Sequence, residues 1–209
     1  MPIYMDMIKL VSWPHIERLK QETYTSHQFQ LGPINIRPDG TRVFANPFSV
    51  GPVPLIALSD VGFWVRYCFD HQLQSSGHNF QIVSDWVSYD TLPSIFTKVT
   101  GLPAVYKPLG VNEWFDYIGS GKDLPFASEG LDQRTFRDNF TCWFHWWRDS
   151  SRLLKVDMEW IRSIHPESKT IEEFIRASGW DGKIDLSVLK HAEDGKGKAL
   201  PDWDKVATL

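Results

Sequence analysis

The residues best able to do chemistry lie in DNFTCWFHWWRDS, from Asp138 to Ser150. Wound as a helix, this stretch gathers Asp138, Cys142, His145 and Asp149 on one face. Asp138 and Cys142 are four apart, and so are His145 and Asp149, the spacing of helix neighbours. A carboxylate that orients an imidazole fixes its tautomer and supports its protonated form, which makes an acid–base pair. Arg148 adjoins the pair, and Trp146 is placed to stack on a substrate. The same spacing also describes a solvated helix face with an internal salt bridge, and such pairs are commonly structural.

Other candidates follow predicted strands. Trp86 and Tyr89, with Asp85 and Asp90, come just after an apolar run, and Tyr106 and Lys107 sit on another. Strand ends of α/β sheets commonly face the ligand crevice, so Trp86, Tyr89 and Tyr106 are expected to line a substrate site. Capping explains Asp90, and a turn explains Asp85. His71 and His78 supply too few ligands for zinc, and no Cys–His spacing completes a set, so no metal is expected. GSGKD at 119–123 is not a phosphate-binding loop, because position 116 is Asp and Asp123 follows Lys122. No Ser or Cys has the G-x-S-x-G context of a nucleophile elbow.

The elements that must position these groups are read from periodicity. Val53–Leu58 is a short apolar run, expected as a buried strand. Ser59 or Asp60 would cap a helix with Val61, Trp64, Val65, Cys68 and Phe69 on one stripe. Gly77 punctuates, and Phe80–Val83 is a second strand candidate. Ser88 or Asp90 would cap a helix that buries Leu92, Ile95, Phe96 and Val99, with Gly101 left-handed at its end. Ala104–Lys107 is a third strand. Gly110 opens a helix with Val111, Trp114, Phe115 and Ile118 inward. Leu124–Gly130 is expected as loop. A helix from Leu131 to about Ser151 carries the stripe Phe136, Phe140, Trp143, Phe144 and Trp147. Asp157–Ile164 is helical and stops before Pro166. Thr170 and Glu173 form a capping box for a helix that Gly179 closes.

Upstream, Ser12 to Glu22 is expected as a helix. Gln28–Ile36 would pair with Thr41–Ala45 across the turn Pro38-Asp39-Gly40. The domain expectation is one unit over 1–180, with a divergent segment at 1–38. A polar tail at 181–209 would hold a short helix at Leu186–Ala192.

Composition bounds the rest. The 209 residues are 42% hydrophobic and 23% charged, ordinary for a globular domain. Aromatics reach 14%, with 10 Trp, 13 Phe and 6 Tyr, which favours a bulky core or an aromatic-lined cavity. Net charge is −4 and the pI is near 6.0, so no electrostatic grip on nucleic acid is expected. No apolar stretch approaches the roughly 20 residues that span a bilayer. The N-terminus has no basic region ahead of an apolar run, so no signal peptide is expected. Cys68 and Cys142 are read as reduced core residues of a cytoplasmic protein.

LIALSDVGFWV, the following strand, and the helix ending KVTG resemble the second half of NmrA-like proteins. These are atypical short-chain dehydrogenase relatives, common in fungi. The resemblance extends from about Asp39 (DGTRVFANP) toward the aspartate-rich end. It implies an α/β or α+β fold: a small sheet flanked by helices, the substrate-binding half of a Rossmann-derived protein. The family's glycine-rich dinucleotide turn is absent. The close pairs Gly119/Gly121 and Gly195/Gly197 do not lie between a suitable strand and helix. The catalytic Tyr-x-x-x-Lys element is also absent, and Lys9 and Lys20 take no role.

Without those parts, no cofactor is expected. The leading expectation is a cofactor-independent enzyme, a cyclase, isomerase or dehydratase acting on an apolar natural-product intermediate. An NAD(P)-linked reductase or redox-sensing regulator completed by a Rossmann half in trans is the alternative, and a non-catalytic binding module is the third. The resemblance further implies an uncovered sheet face, and hence a homodimer or other partner.

Overall fold

A computed structural model describes residues 33–48, 51–125, 134–183 and 201–209. The expected helix at Ser12–Glu22, the start of the expected Gln28–Ile36 strand and the short helix at Leu186–Ala192 lie outside them. The fold is mixed α and β. Strand β1 (Pro33–Ile36) turns back into β2 (Arg42–Asn46), antiparallel, as the sequence predicts. Asp39 Oδ1 accepts from the Thr41 N–H at 2.9 Å, and Gly40 adopts a φ of 85°, so the Pro-Asp-Gly tripeptide makes the turn. Strand β2 is buried along its whole length, and β5 (Ala104–Pro108) pairs with it in parallel. The order is β1-β2-β5.

Between β2 and β5 the chain makes a second, two-stranded sheet. Strand β3 (Val53–Leu55) pairs antiparallel with β4 (Asp85–Val87), Val53 opposite Val87 and Leu55 opposite Asp85. Two expectations change here. Strand β3 stops three residues short of Leu58, because helix α1 (Leu58–Asp70) has begun. The second strand is Asp85–Val87, not Phe80–Val83. Val83 and Phe80 go into side-chain packing, with Phe80 stacked 5.3 Å from Trp160, and only Ser84 N–H reaches back to Leu55 O. Apolar content alone does not distinguish a run that packs from a run that pairs.

After α1 comes a single turn, α2 (Gln72–Ser75), and then, past β4, α3 (Leu92–Thr100). The N-caps are Ala57 for α1 and Thr91 for α3, neither with a side-chain cap, so Ser59, Asp60, Ser88 and Asp90 do not cap as expected. Gly101 does end α3, at φ 74°. Helix α4 (Val111–Asp116) starts after Gly110 and buries Trp114 and Phe115, and a 3-10 turn follows at Ser120–Asp123.

The long helix is α5 (Phe136–Leu153). Its start is set by Thr135 and Asp138, which exchange side-chain-to-backbone hydrogen bonds in a capping box. Helix α6 (Met158–Ile164) is capped by Asp157 and stops before Pro166. Helix α7 (Ile171–Ser178) has the predicted Thr170–Glu173 box and closes on Gly179 at φ 64°. The short α8 (Trp203–Val206) buries Val206. Asp202 N–H donates to Tyr117 O, and Arg37 donates to Leu209 O at 2.7 and 3.1 Å.

Apolar side chains divide into two clusters. The larger is centred on Phe48, whose ring lies 5.4 Å from Tyr89, 5.5 Å from Trp143 and 5.2 Å from Phe144. The smaller gathers Trp64, Val83 and Ile161 under Phe63, Tyr67 and Trp160. Cys68 is half-buried and Cys142 exposed, both free thiols, so Cys142 is not the core residue expected.

Candidate functional site

The α5 face predicted for chemistry faces water. Asp138, Cys142 and His145 are exposed, and Asp149 is half-buried. Asp138 belongs to the capping box, where the Thr135 N–H and hydroxyl hold its carboxyl below the usual range. Asp149 accepts from Arg148 at 3.2 and 3.3 Å and also from Arg152; those guanidinium hydrogen bonds, Arg148 first, hold its carboxyl low. No hydrogen bond or ion pair among the described residues joins His145 to Asp149. The structure therefore does not assemble the predicted acid–base pair. An exposed carboxylate between two arginines gains more from their full charges than from an imidazole on the same helix face. Trp146 is half-buried, its ring edge-on to Trp147 at 5.6 Å.

The three predicted lining residues separate. Tyr89 and Tyr106 meet, with ring centres 6.0 Å apart, against the larger cluster. Trp86 belongs to the smaller one. Strand alternation is the reason: Trp86 is the middle residue of β4 and points to the opposite face from its neighbour Val87, which lies in the larger cluster with Tyr89.

The densest buried polar cluster is one the sequence reading passed over. It centres on Asp60, in the first turn of α1 and 1% exposed. Oδ2 accepts from the Ser84 hydroxyl at 2.6 Å and the Ser168 hydroxyl at 2.5 Å. Oδ1 lies 3.2 Å from Nε2 of His165 and also accepts from Ser59 Oγ at 3.2 Å. Ser84 Oγ in turn accepts from the Ala57 N–H at 2.8 Å, satisfying the main-chain donor of the N-cap residue itself. Arg162 donates to the main-chain oxygens of Ser84 and Ser168, fastening the same two loops. His165 follows the last residue of α6, and its ring stacks on Phe63 at 3.8 Å and 7°.

This arrangement does two things. It ties the start of α1 to the segment before β4 and to the α6–α7 connection, with a buried carboxylate satisfied by four side chains. It also orients an imidazole. With Nε2 directed at Asp60, the neutral ring carries its lone pair on Nδ1, which no hydrogen bond among the described residues reaches. His165 is 8% exposed, and its side chain 10%. Beside it, Trp64 is 3% exposed, and its Nε1 has no hydrogen-bond partner among the described residues. The indole stands nearly perpendicular to the His165 ring, with centres 6.5 Å apart. An oriented base, a free buried donor and aromatic walls suit proton transfer on an apolar molecule.

The sequence predicts Asp60 only as a cap for α1 and a helix at 157–164 that stops before Pro166, and it does not single out His165. Nothing local ties positions 105 residues apart. Among the described residues, no group of three or more His, Cys, Asp or Glu could hold a metal ion, and no helix is long and apolar enough to cross a membrane. The sequence matches no family model and no curated protein.

Proposed function

We propose that this chain is a cofactor-independent enzyme that moves protons on an apolar small molecule, by isomerisation, dehydration or cyclisation, with His165 as its acid–base group. The observation that carries the reading is the buried Asp60 carboxylate 3.2 Å from His165 Nε2. Asp60 holds the tautomer and supports the imidazolium when Nδ1 takes a proton. Both its oxygens are already engaged by side-chain donors, so the imidazole is the group left to exchange protons. Phe63, Trp64 and Trp160 give the apolar surround, and Trp64 Nε1 is a donor for a substrate oxygen. Proton transfer by a positioned side chain contributes about 10²- to 10⁴-fold. The NmrA-like resemblance without a dinucleotide turn agrees with hydride-free chemistry. A homodimer remains part of the reading, with the exposed Ile36 and Val105 at the two outer strands as its contact points.

The test is exchange of the α-protons of 2-tetralone, an apolar carbon acid, in deuterated buffer, followed by NMR. The protein should accelerate exchange, and His165→Gln should lose at least about tenfold of that acceleration while keeping its melting temperature. Equal exchange by both proteins would remove His165 from the role. Exchange or reduction seen only with NADPH, together with a saturable melting shift by that nucleotide, would favour the reductase reading instead.

A further inference from the structure

Asn46 is fully buried at the end of β2, and its side-chain amide is half used. Oδ1 accepts from the Phe48 N–H at 3.1 Å and from the Tyr106 hydroxyl at 3.2 Å. That main-chain N–H can only donate, so it fixes which end of the amide is oxygen. The Asn46 main-chain oxygen accepts from the Tyr106 hydroxyl at 3.0 Å and from the Leu109 N–H at 3.2 Å. Nδ2 has no hydrogen-bond partner among the described residues.

The place is as telling as the group. Strands β2 and β5 are parallel and end together, Asn46 opposite Pro108. The carboxyl end of parallel strands is the edge at which α/β folds commonly take ligands. Phe48, whose N–H the Asn46 amide oxygen holds, packs its ring on Tyr89 and Trp143, and Tyr89 lies 6.0 Å from Tyr106. Tyr106 is half-buried, and the exposed Asp90 is close enough for its charge to act on the phenol. Burial, then Asp90, pushes the Tyr106 phenol up, so it stays a protonated donor.

We propose that this strand-end edge is a binding site for an apolar ligand carrying one acceptor oxygen, a ketone or quinone carbonyl, held by Asn46 Nδ2. A carbonyl asks only for a donor, which is what Asn46 leaves free. A water in the same place brings two protons, while the Asn46 oxygens are already taken. The site belongs to the larger cluster and His165 packs with the smaller, so the proposal stands apart from the acid–base role.

The experiment is a titration of ¹⁵N-labelled protein with 2-acetylnaphthalene and with 2-isopropenylnaphthalene, which has the same shape and no acceptor. The ketone should bind about tenfold tighter or more, as one well-made hydrogen bond allows, and should shift the Asn46 side-chain amide signals. Asn46→Asp keeps the acceptor for Phe48 N–H and removes the donor, so it should lose the preference. His165→Gln should keep it, which separates failure here from failure of the catalytic reading. Equal binding of the two probes, or Asn46 amide signals that neither probe moves and that show contact only with a long-lived water, would overturn the proposal. Those amide signals are read in the unaltered protein, so the outcome does not depend on a variant folding.

Discussion

One carboxylate, Asp60, serves Ser59, Ser84, Ser168 and His165 at once. Replacing it strands several buried donors together. Asp60→Asn keeps the shape but turns an amide N–H₂ toward hydroxyls that now donate, and it removes the charge that faces His165. We expect a loss of about 3 kcal/mol, the scale for breaking a buried polar pair on one side, read by urea denaturation. A change under about 0.5 kcal/mol, the range of ordinary surface substitutions, would mean that the cluster is not a fastening point. By contrast, Asp149 lies among arginines at the surface, and exposed pairs of that kind contribute little.

At the scale of elements, the helix ends closed by a capping box or a left-handed glycine were readable because that chemistry is local, while the starts of α1 and α3, which have no side-chain cap, were not. Thr170 and Glu173 exchange hydrogen bonds within three residues, and Gly179 and Gly101 take the left-handed conformation that closes their helices. The Asp138 and Glu173 carboxyls are both held below their ordinary values of 3.8 and 4.5, chiefly by the backbone N–H of their cap residues. A depressed folded-state pKa stabilises above the ordinary value, and the effect is lost as pH falls through the lowered one. Melting temperature should therefore drop as pH falls below about 4.5, the range where these carboxyls protonate. The slope should be shallower in Asp138→Asn with Glu173→Gln. An unchanged slope would show that other groups carry the acid sensitivity. The caps themselves should be worth about 1 kcal/mol each, measured in Thr135→Ala and Thr170→Ala.

Across the whole molecule, Phe48 holds the larger cluster together, touching β4's neighbour Tyr89 and three rings of α5. Phe48→Ala should cost about 3–5 kcal/mol, because rings from separate elements cannot all close on the void. Calorimetry reads this as a fall in the melting temperature. A loss under about 1 kcal/mol would mean that the cluster repacks freely. The mixed α and β class, the β1–β2 hairpin, the Gly101 end of α3, the α6 and α7 ends and the α5 stripe were all in the sequence. Each depends on residues within a few positions of one another: hydrophobic period, a cap, a glycine with positive φ. The pairing of β3 with β4 in antiparallel sense, and the meeting of Asp60 with His165 and of Asn46 with Tyr106, were not. Those partners stand 105 and 60 residues apart. No local preference encodes such a meeting; it appears only once apolar packing has brought the segments together, and burial then makes each polar group find a partner or show itself as free.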